Sequence, residues 1–266
     1  MDYLVCVPSY KRAETCKRKT LALLHQRKVP ASRIIVYVAD EAERALYAET
    51  LDPHTYWTIR VGKPGMGAIR NYITLDHPEG AALLMCDDDL DNIVLRVDDK
   101  TIIDCPDLDD LASRAFDLTK QVGLKLWGIY PVKNPMFMKP TVTGDLRYIE
   151  GAFWGILNRH DVLVTLDDKE DFERSIRRYI KDGGVLRFNF AAMITRFYTE
   201  PGGMQEQRTE VRVTESARYL AETYPSLAAM NTKKKSGHTE LRLWDRAGLG
   251  IVKYVDVAKT GEWGYR

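Results

Sequence analysis

The chain has 266 residues, 45% of them apolar and 29% charged, with a formal net charge of +1. That balance supports a sizeable core and excludes a disordered chain, while near-neutrality confines any polyanion-binding surface to a local patch. No run reaches the roughly 18 apolar residues of a membrane-crossing helix, so no membrane partner is expected.

Residues 3–7, YLVCV, are an apolar run closed by Pro8-Ser9, and residues 12–27 carry Leu21, Leu23 and Leu24 among cationic residues; strand, loop and helix follow. The pattern repeats with the β-branched run 34–38, which ends at Ala39-Asp40, and an Ala/Glu/Arg/Leu-rich stretch at 41–50. A third strand is expected at 57–61, a turn at 64–67, a short helix at 68–75 and a fourth strand at 81–86. Strands alternating with helices imply an α/β fold with a mainly parallel central sheet and right-handed crossovers, in which ligands bind beyond the carboxyl ends of the strands. On that rule Ser9, Tyr10, Lys11, Asp40 and Asp87-Asp88-Asp89 converge on one rim.

Beyond residue 90 the alternation loosens. A helix at about 107–122 precedes a strand at 126–130, then a Pro-rich segment and an aromatic, β-branched stretch through Ile149, Phe153 and Trp154. This part reads as a smaller antiparallel acceptor side, with loops at 131–145 and 200–210. The whole chain reads as a single catalytic domain, 1–100 serving a donor and 101–266 an acceptor. Cys6, Cys16, Cys86 and Cys105 show no short paired spacing, which argues against a zinc site and against disulfides. The N-terminus MDYLVCVPSYKR lacks the pattern of a signal peptide, so a cytoplasmic protein is expected. The sequence fixes no oligomeric state.

ALLMCDDDLDN is the strongest chemical signal: an apolar strand delivers three consecutive carboxylates at its exit. Adjacent anions cost stability unless solvent, a cation or hydrogen bonds offset them, and hard oxygen ligands suit Mg²⁺ or Mn²⁺. In extended chain Asp87 and Asp89 would share one face. A solvated capping loop and a phosphatase-like carboxylate site are the competing readings. Gly65-Met66-Gly67 with Arg70 permits close approach of backbone to a phosphate at a helix N-terminus, or makes a turn beside a surface arginine. GAFWG at 151–155 suits a strand passing close to a sugar with Trp154 as a flat face, or an ordinary core strand.

VPSYKR after the first strand, ADE after the second, PGMGAIRN, and MCDDD at the fourth, in that order, resemble the GT-A glycosyltransferases. More narrowly, the first 90 residues resemble TET-associated and phage enzymes that glycosylate hydroxymethylpyrimidines in DNA. The GT-A resemblance implies a UDP-sugar donor bound by Pro8, Ser9, Tyr10, Arg12 and Asp40, by Gly65, Gly67 and Arg70, by Asp87 and Asp88, and by Gly151, Trp154 and Lys235. It implies Mn²⁺ or Mg²⁺ held by Asp89 and Asp87, with His238 as a further ligand. It also implies Asp171 as the general base, with Glu170 as substitute, although acidic residues in a first helical turn need only serve the helix dipole.

The narrower resemblance implies duplex DNA carrying a hydroxymethylpyrimidine as partner, in a host cytoplasm if the chain is phage-encoded. Lys17, Arg18, Lys19, Arg177, Arg178 and Lys233 to Lys235 are then the candidates for tracking phosphates. A saccharide or lipid-linked acceptor would leave those cations unused. From other classes, a nucleotidyltransferase would usually place a glycine-rich basic loop after its first strand, which VPSYKR lacks, and a nucleotide-binding module would need no acceptor-side carboxylate.

Overall fold

The computed structural model describes residues 2–195, 202–203, 209–231, 240–244 and 250–266. In the first third, β1 (Leu4–Pro8), β2 (Ile34–Val38), β3 (Thr58–Val61) and β4 (Ala82–Cys86) form a block ordered β3-β2-β1-β4, every pairing parallel. β2 and β4 are buried along their whole lengths, which is why they read as continuous apolar runs rather than alternating ones. The crossovers are α1 (Ala13–Cys16) and α2 (Ala22–Gln26), joined by a π-helical turn at Lys17–Leu21, then α3 (Glu41–Thr50) and α4 (Met66–Asp76). β1 has β2 on one side and β4 on the other, so chain order reverses there and a crevice opens beyond its carboxyl end.

The remaining strands extend the same sheet. β5 (Leu90–Arg96) and β6 (Ile102–Asp104) make a hairpin, and α5 (Leu108–Gln121) leads to β7 (Leu126–Tyr130). β8 (Thr141–Thr143) and β9 (Phe153–Leu157) follow, then α6 (Glu170–Asp182) and the long β10 (Leu186–Thr195). β9 runs antiparallel to both β4 and β7; β10 is parallel to β7 and antiparallel to β5 and β8. Past α7 (Glu210–Thr223), β11 (Ala228–Asn231) and β12 (Glu240–Leu243) pair as a separate hairpin. β13 (Val252–Val257) and β14 (Trp263–Tyr265) then complete the edge of a 12-stranded sheet.

The α/β fold and its parallel block are as expected from the sequence, as are a helix at 41–50 and one at about 107–122, which spans 108–121. The segment 131–145, expected as loop, contains β8, because Val142 is fully buried opposite Phe188. Of 200–210, only Gly202, Gly203, Thr209 and Glu210 are described. All four cysteines are free and buried.

Two cores flank the sheet. On one face α5 presents Leu108, Leu111, Ala112, Ala115 and Phe116, at the three- and four-residue spacing of an amphipathic helix. Phe116, Phe153 and Phe188 all meet Trp127 edge-on. Gly155 makes room for that indole: a Cβ there would lie 2.1 Å from Trp127 Nε1. On the other face Ile69 and Ile73 of α4 cover Cys6, Tyr37, Leu83 and Met85.

Candidate active site

The carboxyl ends of β1, β2 and β4 border an open cleft lined by Pro8, Ser9, Tyr10, Arg12, Lys63, Gly65, Met66 and Asp87 to Asp89, among others. The first loop and the acidic run therefore share one crevice, although nearly 80 residues separate them. The three aspartates do different work within it. Asp88 is turned inward and 5% exposed; it accepts from Ser9 Oγ at 2.5 Å and from Arg12 Nη1 at 3.3 Å. Burial pushes its carboxyl up to about 7, against the opposing pull of the Ser9 hydrogen bond and of Arg12. Ser9 Oγ lies 2.7 Å from Tyr47 Oη, and Tyr47 Oη accepts from the Arg12 amide at 3.0 Å, so α3 braces the β1 loop.

Asp89 accepts from Arg12 Nη1 at 3.3 Å and from Thr195 Oγ1 at 3.2 Å. Its pKa is raised by burial and then by repulsion from Asp87. Asp87 pairs at 2.5 Å with Arg70, which also donates to the Gly151 carbonyl at 3.0 Å. The side chains of Asp87 and Asp89 remain 26% and 15% exposed. Two hard carboxylates facing a cleft suit Mg²⁺ or Mn²⁺, whose remaining positions are commonly filled by substrate phosphates and water. Among the described residues no group of three or more His, Cys, Asp or Glu side chains could hold such an ion unaided. His238 and Lys235 lie outside the described residues, as do Lys233 and Lys234.

Several expected contacts fall elsewhere. Asp40 caps α3, accepting from the Glu43 amide at 2.9 Å, and its neighbour Ala39 lines the cleft instead. Gly67 is explained by packing: its amide donates to Asp167 at 3.0 Å, and a Cβ would lie 2.5 Å from the Leu166 carbonyl oxygen. Gly65 has φ +104 and does line the cleft. Arg70 is 3% exposed rather than open to a nucleotide, because Asp87 and the Gly151 carbonyl draw it inward. Trp154 is 2% exposed and offers no face to a sugar: central β9 is covered on both sides, and the Arg174 guanidinium lies 3.7 Å from the ring centre. Arg178 is buried against Asp161 and Asp182, and Arg177 is held by Glu173 and the Leu163 carbonyl, so neither is placed to track phosphates. Lys19 pairs with Asp91 at 3.0 Å, whereas Lys17 and Arg18 are exposed.

Beside Gly151 a second group of acids gathers. Glu170 is 5% exposed, with Arg174 at 3.8 Å, and burial followed by repulsion from Asp171 pushes it up to about 7. Asp171 accepts from Tyr148 Oη at 2.5 Å. Glu150 accepts from the Ala152 amide at 2.7 Å; burial, then Asp171 and Asp87, push it up to about 8. Gly151 joins the two groups: its carbonyl accepts from Arg70, and a Cβ there would lie 3.2 Å from Glu170 Oε1. Sequence reasoning missed Glu150, Tyr148, Lys63 and Thr195. Glu150 adjoins the glycine already singled out, a usable signal; Lys63 and Thr195 reach the site only through tertiary structure.

No protein-family model matches the chain, and no curated protein matches it. Solved structures do match, at low identity. The mannosyltransferase PcManGT from Pyrobaculum calidifontis, in complex with GDP-Man and Mn²⁺, superposes with a TM-score of 0.53 at 13% identity, over 84% of this chain and 63% of that one. TarS 1–349 of S. aureus in complex with UDP-GlcNAc gives 0.52 at 13% identity, over 84% and 66%. A mycobacterial protein gives 0.50 at 10% identity, over 91% and 83%. The fold is that of the GT-A glycosyltransferases. The chain spans less than two thirds of the length of the first two.

Proposed function

We propose that the protein is a metal-dependent glycosyltransferase that moves a sugar from a nucleotide diphosphate, UDP in the first instance, to an acceptor hydroxyl. The observation that carries this reading is the convergence of the β1 loop and the Asp87–Asp89 turn on one cleft, with a separate set of acids, Glu150, Glu170 and Asp171, joined to it through Gly151. The two nucleotide-sugar complexes with the same fold support it.

Pro8, Ser9 and Tyr10 border the nucleotide, and Lys63, exposed at the cleft, meets the diphosphate. Asp89 and Asp87 would hold a divalent ion, which when bound would supply Lewis-acid stabilisation of the charge developing on the departing diphosphate. Asp171 takes the proton of the acceptor hydroxyl as its oxygen bonds to the anomeric carbon and the bond from that carbon to the diphosphate breaks. Attack from the face opposite the leaving group inverts the anomeric centre. Tyr148 holds the Asp171 carboxylate in orientation.

For the acceptor, the narrower sequence resemblance points to a hydroxymethylpyrimidine in DNA. The burial of Arg178 and the pairing of Arg177 and Lys19 remove three of the cations that reading relied on, and a saccharide hydroxyl fits the same acids equally. Release of UDP from a panel of UDP-sugars, with divalent metal and with hydroxymethylated duplex DNA, simple saccharides or no acceptor, tests the proposal. No metal-dependent turnover of any nucleotide sugar would reject it.

A further inference from the structure

Toward the β13 edge, a strip of the sheet stays open to solvent. Val252 and Tyr254 of β13 are 52% and 57% exposed. They stand opposite Thr143 and Thr141 of β8, and Thr143 stands opposite Arg187 of β10. Residues opposite one another in a ladder share a face, so Arg187 lies on this strip. Among the described residues its guanidinium has two direct partners, and neither is acidic. Nε donates to Asn189 Oδ1 at 2.7 Å, and the group lies 5.0 Å from the centre of the Tyr130 ring. The Asn189 amide nitrogen donates in turn to Thr141 and Thr143, both at 3.2 Å, which fixes its oxygen toward the arginine.

The charged neighbours of Arg187 are Arg147, which repels it, and Asp145, which already pairs with Arg147. Burial, then Arg147, pull Arg187 down to about 10. A largely buried cation whose one neighbouring carboxylate is shared with a second arginine is costly. Holding one ready with a ring and an oriented amide is what recognition of an anion requires. The planar fork of arginine matches a phosphate. Ile149 connects this place to the acids: it packs over Gly128, which stands opposite both Arg187 and Trp154, and it lies between Tyr148 and Glu150 in the chain.

We propose that Arg187, with Arg147 at its edge, forms an anion subsite that takes a phosphate group carried by the acceptor. The word acceptor rests on the transferase reading above; the binding of the anion does not. The test titrates inorganic phosphate into the full chain with the donor cleft filled by UDP and Mg²⁺. Wild type is expected to take up phosphate alongside UDP. Arg187→Gln should weaken phosphate binding by roughly ten-fold or more, as for loss of a charge-assisted contact. Arg187→Lys, which keeps the charge but loses the fork, should weaken it less, and UDP affinity should not change in either variant.

Phosphate affinity in Arg187→Gln equal to wild type overturns the proposal, as does the absence of phosphate binding to wild type. Should Arg187→Gln not fold, unchanged phosphate affinity in both Arg187→Lys and the surface variant Arg147→Gln overturns it equally. Phosphate uptake without UDP binding supports the subsite and defeats the transferase reading. Displacement of phosphate by glycerol phosphate supports a phosphomonoester acceptor; displacement by a short duplex, steeply weakened by salt, supports a nucleic-acid backbone. Displacement by neither means an adventitious ion only and overturns the proposal.

Discussion

The two halves of the molecule treat their charges differently. Around the parallel block, each aspartate of the β4 turn is met by an arginine: Asp87 by Arg70, and Asp88 and Asp89 by Arg12. Around the antiparallel half, Glu150 forms no ion pair with a described cation and Glu170 has Arg174 at 3.8 Å, so that repulsion from Asp171 adds to burial in pushing both upward. A cleft whose carboxylates are partly offset by arginines suits holding a ligand that brings its own cation. A site with excess carboxylate suits taking a proton. Under the proposed function, binding and proton transfer would fall to different regions, and substitutions can separate them.

The largest effect is expected on the cleft side. Asp89→Asn keeps the shape of the side chain and removes its charge, so metal-dependent UDP release, with or without acceptor, should fall by roughly a thousand-fold, the scale of losing charge stabilisation at a leaving group. Retained activity would break the assignment of Asp89. On the other side, Asp171→Asn should lower transfer by about 100- to 10,000-fold, the range for a general base, and leave the dissociation constant for UDP unchanged. Equal loss of UDP affinity in that variant would erase the distinction between the halves.

The same contrast explains what the sequence made legible. In the parallel block, local signals coincide with structure: β2 is the β-branched run that ends before Ala39-Asp40, and α3 covers the Ala/Glu/Arg/Leu-rich stretch that follows. The cleft followed because a parallel sheet sends the ends of β1 and β4 to one side. In the antiparallel half the decisive relations are long-range. β10 pairs with β5, more than 90 residues away, and nothing near Thr195 shows that it will meet Asp89. Trp154 and Arg178 misled for one reason: residue type is visible in the sequence, but cover from a distant element is not. Gly155, read as a close approach to a sugar, makes room for Trp127.

A smaller effect, on stability, sharpens the comparison. Glu150 has a folded-state pKa raised from the ordinary 4.5 to about 8. The native state therefore binds more protons than the unfolded one between those values. Its contribution is fully present below about pH 4.5 and is lost as pH rises toward about 8. Glu150→Gln should remove this slope, so the variant gains in unfolding midpoint relative to wild type at pH 8 and loses that advantage at pH 4.5. Urea melts at the two pH values measure it. A pH-independent difference would show that Glu150 is solvated, and the antiparallel half would then lack the excess of buried charge argued for it.

The smallest effect isolates orientation. Tyr148 stacks on Phe172 with ring centres 4.1 Å apart and donates its hydroxyl to Asp171 Oδ2 at 2.5 Å. Tyr148→Phe keeps the stack and removes the donor, so packing is preserved while the carboxylate loses one restraint. A base must stay within hydrogen-bond reach of the proton it takes, and a net hydrogen bond of about 1 kcal/mol corresponds to a rate factor of roughly five. The expected result is that decrease in kcat for transfer, with the donor KM and the unfolding midpoint close to wild type. A raised donor KM with unchanged kcat would instead assign Tyr148 to donor binding and move the boundary between the two halves across Gly151.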